Sequence, residues 1–210
     1  MDHHDKLNFE EIAKFIKDDS VVVDVGAHIG NYCNFFLEKL GDSGKVYALE
    51  VHPVNYGRLY KKYGSLDNVV LLNRAASNID GVEPVYHDGS MSHTQTTNII
   101  GKNSNGETID NFKIGSVASI RLDTLLINET NIDLIKIDVE GAEIKVLEGL
   151  SKIYTRINNL IIECHFDDDW GRIKDLLLNQ YNFSCYDLSN KNNITINTDE
   201  RAYQCLCKKK

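Results

Sequence analysis

No apolar run in these 210 residues approaches the length of a bilayer crossing, and no signal-peptide pattern opens the chain. A helical membrane protein is therefore not expected, and the expected setting is the cytoplasm. Basic stretches are equally scarce. The formal net charge is −8, and the one basic run, Lys208-Lys209-Lys210, reads as a frayed, solvated tail. A phosphate-backbone partner needs a basic face, so nucleic acid is not an expected partner. The five cysteines, Cys33, Cys164, Cys185, Cys205 and Cys207, show no C-x-x-C spacing and fall mostly in apolar patterns. They read as free thiols of a reducing compartment. His3-His4 reads as part of a disordered leader, not as a metal motif.

What remains has the composition of one globular domain, 42% hydrophobic and 26% charged, long enough for a real core. Within residues 1–19, Leu7, Phe9, Ile12, Ala13, Phe15 and Ile16 recur at roughly helical spacing, which predicts an N-terminal helix. The next stretch, VVVDVGAHIGN over Val21–Asn31, organises the chain. Its apolar start predicts a buried parallel strand, and Gly26 and Gly30 bracket a tight turn before a helix opens at Asn31. A strand, a glycine turn and a helix N-terminus form a nucleotide-type cradle. Gly26 would let backbone approach a ligand, and Gly30 would let the helix pack on the strand. The dinucleotide fingerprint G-x-G-x-x-G is absent, because Ala27 and His28 supply no middle glycine.

A second strand, Lys45–Glu50, ends in a carboxylate 24 residues after Gly26. At that place in a doubly wound sheet an acid accepts hydrogen bonds from both ribose hydroxyls. Pro53 starts the second helix, and strand three, 68–73, leads into Arg74-Ala75-Ala76-Ser77. The small Ala75 and Ala76 would leave room for a flat base. Residues 80–119 break the strand–helix alternation. Within them, 82–86 and 117–122 read as strands, and the loop 88–111, rich in Gly, Ser, Thr and Asn, is expected to be irregular and to wall the substrate side. Its Ser90, Ser92, Thr94 and above all His93 are candidates there, since a near-neutral imidazole can take a proton.

The stretch NIDLIKIDVEGAEIKVLEGL, from Asn131 to Leu150, predicts a buried strand over 132–139 followed by a helix beginning at Glu140-Gly141-Ala142-Glu143. Lys136 and Asp138 share a strand face, and a buried charge needs a partner, so Lys136 is expected to pair with Asp138, Asp24 or Glu163. Glu140 and Glu143 fit the first turn of the helix, where the dipole favours acids. Asp138 lies where ligands sit in such sheets, at the carboxyl end of a central strand. Residues 159–165 form strand five, placing Glu163 and His165 near Asp138. After a helix through Leu176–Leu178, residues 183–207 are expected to close the sheet as an antiparallel pair with a loop at 190–193.

These blocks together, VVVDVGAHIGNY, VYALEVHP, RLDTLL and IDLIKIDVEGAEIKVLEGL, resemble the FkbM family of S-adenosylmethionine (SAM)-dependent methyltransferases over roughly residues 20–165. KIDVEGAE is the specific block, since many methyltransferases share the cradle. The resemblance implies a Rossmann-like class I fold: a mostly parallel seven-stranded sheet, helices on both faces and a C-terminal antiparallel hairpin. It implies methyl transfer from SAM, usually to a hydroxyl oxygen of a sugar or secondary metabolite. Asp24, Gly26, Ala27, His28, Gly30 and Asn31 fall in the cofactor loop, Glu50 and Val51 on the ribose side, Ala75 and Ala76 beside the base, and Asp138 at the reaction end. Val51 replaces a frequent proline, and His28 a frequent asparagine.

A hydroxyl is a poor nucleophile until its proton is leaving, so a base is expected from Asp138, His165 or His93, with Glu163 orienting it. An alternative places a Mg²⁺-type cation on Asp138, Glu163 and His165. Only three scattered ligands, one of them a nitrogen, weigh against it, and no metal is assigned. Two other classes stay open: a SAM-binding interaction module without activity, and a nicotinamide-dependent oxidoreductase, which shares the strand-two acid. The expected partner is a small-molecule or glycan acceptor, and a dimer is compatible with the sequence.

Overall fold

The computed structural model describes residues 9–87, 97–103, 105–109 and 113–210. In chain order the first half contains α1 (residues 9–13), β1 (Val21–Val25), α2 (Asn31–Lys39), β2 (Lys45–Leu49), α3 (Pro53–Tyr63) and β3 (Val69–Leu72). Then come β4 (Ala75–Ala76), β5 (Gly81–His87), β6 (Thr97–Asn98), β7 (Lys113–Ile120) and α4 (Leu122–Leu125). The second half contains β8 (Leu134–Ile137), α5 (Glu143–Gly149), β9 (Asn159–Glu163), α6 (Asp167–Lys174), β10 (Phe183–Asp187), β11 (Asn193–Ile194) and β12 (Gln204–Lys209).

The main sheet runs β11-β10-β12-β9-β8-β1-β2-β3. Its strands β3, β2, β1, β8 and β9 are parallel, and β12 and β10 add antiparallel. Sequence order reverses beside β1, so the carboxyl ends of β1 and β8 border the crevice where doubly wound sheets bind ligands. Alternation along the strands sorts the core into two layers. Val22, Val46, Ala48, Leu134 and Ile161 pack with Phe9, Ile12, Phe36 and Leu59 of α1–α3. Val23, Val25, Leu49, Ile135, Ile137 and Ile162 pack with Val146, Leu147, Trp170 and Ile173 of α5 and α6. Helices therefore cover both faces, as expected.

Several expectations need correction. The sheet has eight strands, because the two-residue β11 pairs with β10 inside what reads as a plain hairpin loop. Segment 80–119 builds most of a second sheet, β4-β7-β5-β6: its expected strands overlap β5 and β7, and a further short strand, β6, lies inside the stretch 88–111 expected to be irregular. Its strand β7 starts at Lys113, earlier than the apolar signal, because Lys113–Ser116 are exposed and so lack a buried-face pattern. Lys208 and Lys209 are not frayed. They pair with Ser184 and Phe183, and the Lys208 ammonium lies over the Phe15 and Tyr186 rings at 4.9 and 5.3 Å. Finally, Cys185 and Cys207 face each other across β10 and β12 and form a disulfide, leaving only Cys33, Cys164 and Cys205 as free thiols. Strand register brings the two sulfurs together, and spacing along the chain carries no sign of it.

Candidate active site

The site rests on a buried charge frame. Asp24 in β1 and Lys136 in β8 are register partners pointing to the same face. The Lys136 Nζ donates to Gly26 O at 2.9 Å and lies 3.2 Å from Asp138 Oδ2, 3.5 Å from Asp24 Oδ1 and 5.1 Å above the Tyr32 ring. Burial alone would lower its pKa, but Asp138, Asp24 and Tyr32 hold it above the usual lysine range. Burial pushes Asp24 up, opposed by Lys136 and by the Cys33 thiol, which donates to Asp24 Oδ2 at 3.3 Å. Of the three expected partners of Lys136, Asp24 and Asp138 are present. Glu163 is not.

Lys136 thus ties the glycine turn to the end of β8. Gly26 has φ +80, and a Cβ there would lie 1.8 Å from Asp138 O. The residue is glycine because two strand ends converge, a different reason from the close ligand approach expected. Gly30, φ +90, is crowded by Leu59 and Tyr63 of α3, so it serves helix–helix contact and not helix–strand packing. Asp24, Ala27, Gly30 and Asn31 consequently frame the turn without lining the cavity beside it.

That cavity, about 240 Å³, is lined by Gly26, His28, Glu50, Val51, Ala75, Ala76 and Asp138 among the expected residues. Arg74, Thr97, Asn98, Ile99, Val139, Glu140 and Ala142 also line it. Thr97–Ile99 belong to the second sheet, a part of the fold that local pattern does not announce. Glu50 is 6% exposed and takes the backbone N–H of His28 on Oε2 and of His52 on Oε1, each at 2.8 Å. One lone pair on each oxygen remains for a ligand hydroxyl. Two lining side chains, His28 through Nε2 and Thr97 through Oγ1, carry buried polar atoms without a partner among the described residues. Burial and Lys136 lower the His28 pKa, leaving a neutral ring able to donate or accept. A mostly apolar cavity with a buried acid and two orphaned polar atoms fits an adenosyl amino acid.

At the Asp138 edge of the cavity a second cluster converges. His165 Nδ1 lies 2.7 Å from Glu143 Oε1, and that oxygen also accepts the Gly141 N–H at 3.0 Å. A carboxylate opposite Nδ1 turns Nε2 outward. There it meets Asp138 Oδ1 at 3.7 Å, Glu140 Oε2 at 3.5 Å and Glu163 Oε1 at 3.6 Å. Burial would lower the His165 pKa, but Glu143, Glu140 and Asp138 prevail and carry it to about 9. Burial raises Glu140 to about 7, against the pull of His165 and with added push from Asp138, Glu163 and Glu143.

Two assignments change here, and a third residue gains a role. Glu163, expected to orient the base, instead accepts from the Tyr203 hydroxyl and from Gln204 Nε2 at 2.8 Å. Glu143 is the first-turn acid of α5 as expected, and it also fixes His165, a partner 22 positions away that helix periodicity does not show. Glu140 is not in a helical turn at all: its φ is +54, and α5 begins only at Glu143. His93, Ser90, Ser92 and Thr94 lie outside the described residues.

Comparison with known proteins agrees with this geometry. Residues 24–185 match the Methyltransferase FkbM domain. Among solved structures, a proposed rRNA-methylase from Clostridium thermocellum superposes with a TM-score of 0.59 at 12% identity, covering 100% of this chain and 98% of the other. An rRNA methylase from Streptococcus thermophilus gives 0.55 at 15% identity, with coverages of 100% and 98%. A proposed methyltransferase from Streptococcus mutans in complex with SAH gives 0.50 at 16% identity, with coverages of 100% and 99%. At such identities these likenesses establish the fold alone, the Rossmann-like class I methyltransferase architecture. No curated protein sequence matches the chain. No helix among the described residues is long and apolar enough to cross a membrane. With its glycine turn, strand-two acid and KIDVEGAE block inside the matched span, the chain belongs to the FkbM methyltransferase family and uses S-adenosyl-L-methionine as its cofactor.

Proposed function

We propose that this chain methylates a hydroxyl oxygen of a small-molecule or glycan acceptor. The observation that carries the reading is the titratable cluster at one edge of the cavity, where Asp138 and Glu140 line the wall and His165 stands behind them. When bound, SAM supplies an electrophilic methyl group on a sulfonium. The remaining work falls to the chain. Glu50 holds ribose hydroxyls through its free lone pairs, and Ala75 and Ala76 leave space for the base. Asp138 Oδ1, 30% exposed at the side chain, would take the proton leaving the acceptor hydroxyl. His165, fixed by Glu143, steadies the negative charge around Asp138. The net charge of −8 and the acids lining this edge favour an uncharged polyol over a phosphate backbone.

The test is transfer of labelled methyl from SAM to a panel of glycosides, polyketide alcohols and hydroxylated peptides, with rRNA transcripts alongside. Label in a base-stable methyl ether is the expected result. Label confined to RNA, or to base-labile esters, contradicts the proposal.

A further inference from the structure

The geometry points to a divalent-cation site made by Asp138 Oδ1, Glu163 Oε1 and His165 Nε2, at the carboxyl ends of β8 and β9. Three observations carry it. One donor atom from each of the three residues lies within 4.8 Å of the others, and His165 Nε2 stands 3.7 Å from Asp138 Oδ1 and 3.6 Å from Glu163 Oε1. Those separations are too long for hydrogen bonds. They are close to the spacing of about 3.0–3.4 Å that donors adopt when each sits about 2.1 Å from one shared ion.

Next, the imidazole is oriented from behind. Glu143, 1% exposed, binds Nδ1 at 2.7 Å, the carboxylate–histidine arrangement that presents Nε2 to a metal. Its second oxygen, Oε2, is buried in the same cluster without a hydrogen-bond partner among the described residues. The third observation is charge. Four carboxylates, those of Asp138, Glu140, Glu143 and Glu163, gather here, and Lys136 and His165 are the only cations paired with them among the described residues.

One nitrogen and two carboxylate oxygens suit Mn²⁺ or Zn²⁺ better than Ca²⁺, which takes oxygen alone. Three protein ligands leave further positions open. On the methyl-transfer reading, on which this role rests, the bound cation takes over from Asp138 Oδ1 the work of loosening the acceptor proton: it binds the acceptor hydroxyl, lowers its pKa so that the proton leaves to solvent, and selects acceptors with a second oxygen beside it, as in a vicinal diol. Cation binding itself does not depend on that reading.

The test uses the full chain after chelation, followed by Mn²⁺ titration read from the loss of the free-ion paramagnetic resonance signal, with Zn²⁺ as competitor. S-adenosylhomocysteine (SAH) binding is measured in parallel by calorimetry. A His3→Ala, His4→Ala version removes the two leader imidazoles as rival ligands. One Mn²⁺ per chain is expected, weakened at least tenfold by Glu163→Gln and about 10–100-fold by Glu143→Gln, with the SAH Kd changed less than threefold. Asp138→Asn provides a second ligand variant should Glu163→Gln fail to fold. If neither ion binds at millimolar concentration while SAH binds normally, the cation site is wrong and the methyltransferase reading stands. Binding undiminished in Glu163→Gln and Asp138→Asn places the ion elsewhere and equally overturns the site. Mn²⁺ bound as expected without any SAH binding supports the site and sinks the cofactor reading instead.

Discussion

Asp138→Asn is expected to lower kcat about 10²–10⁴-fold, the usual contribution of a positioned proton acceptor. The substitution keeps the shape of the side chain and the backbone carbonyl that abuts Gly26, so the glycine turn is preserved. Lys136 retains Asp24 and Gly26 O as partners. SAH affinity should therefore shift little. Loss in kcat with binding retained marks an interaction made at the reacting end, whereas a matched loss in both would mark a structural role. Turnover unchanged in Asp138→Asn would remove Asp138 from the chemistry.

Lys136→Met is the change expected to cost most in stability, about 3–5 kcal/mol, because it strands a buried carboxylate. Asp24 is 0% exposed and would keep only the Cys33 thiol. Gly26 O would lose its donor as well. For a chain of this size the cost corresponds to a fall in Tm of roughly 6–20 °C. Pairing it with Asp24→Leu should restore most of the loss, since an apolar pair of similar volume has no charge to desolvate. A single variant that melts within 2 °C of the parent would show that the frame contributes nothing. Thermal melts of the two single variants and the double variant decide the matter.

Legibility in the sequence followed the range of the interaction. Apolar runs and glycine punctuation gave β1, β2 and β3 to within a residue at each end and the starts of α2 and α3, because those signals are local, while β8 is two residues shorter at each end than the apolar stretch 132–139. The same face-counting along 132–139 correctly put Lys136 beside Asp138. Contacts formed by register were a different matter. Cys185 meets Cys207 only once β10 and β12 pair, and Glu143 meets His165 only once α5 lies beside the end of β9. Glu140 read as helical because acids suit a first turn, yet the chain needs left-handed residues there to turn from β8 into α5. Gly26 and Gly30 were legible as requirements for glycine, but the atoms that impose them, Asp138 O and the α3 side chains, come from elsewhere in the fold. Thr97 and Asn98 gave no local signal, since a two-residue strand is too short for any period to register.

One pocket carries both Glu50 and Asp138 on its wall. Its most direct test is calorimetric titration of the chain with SAH, repeated on Glu50→Ala. One molecule should bind per chain, and the substitution should weaken it about 10–100-fold, the worth of hydrogen bonds to a buried charged acceptor. Absence of binding to the unaltered chain, or equal affinity in Glu50→Ala, would contradict the pocket assigned here.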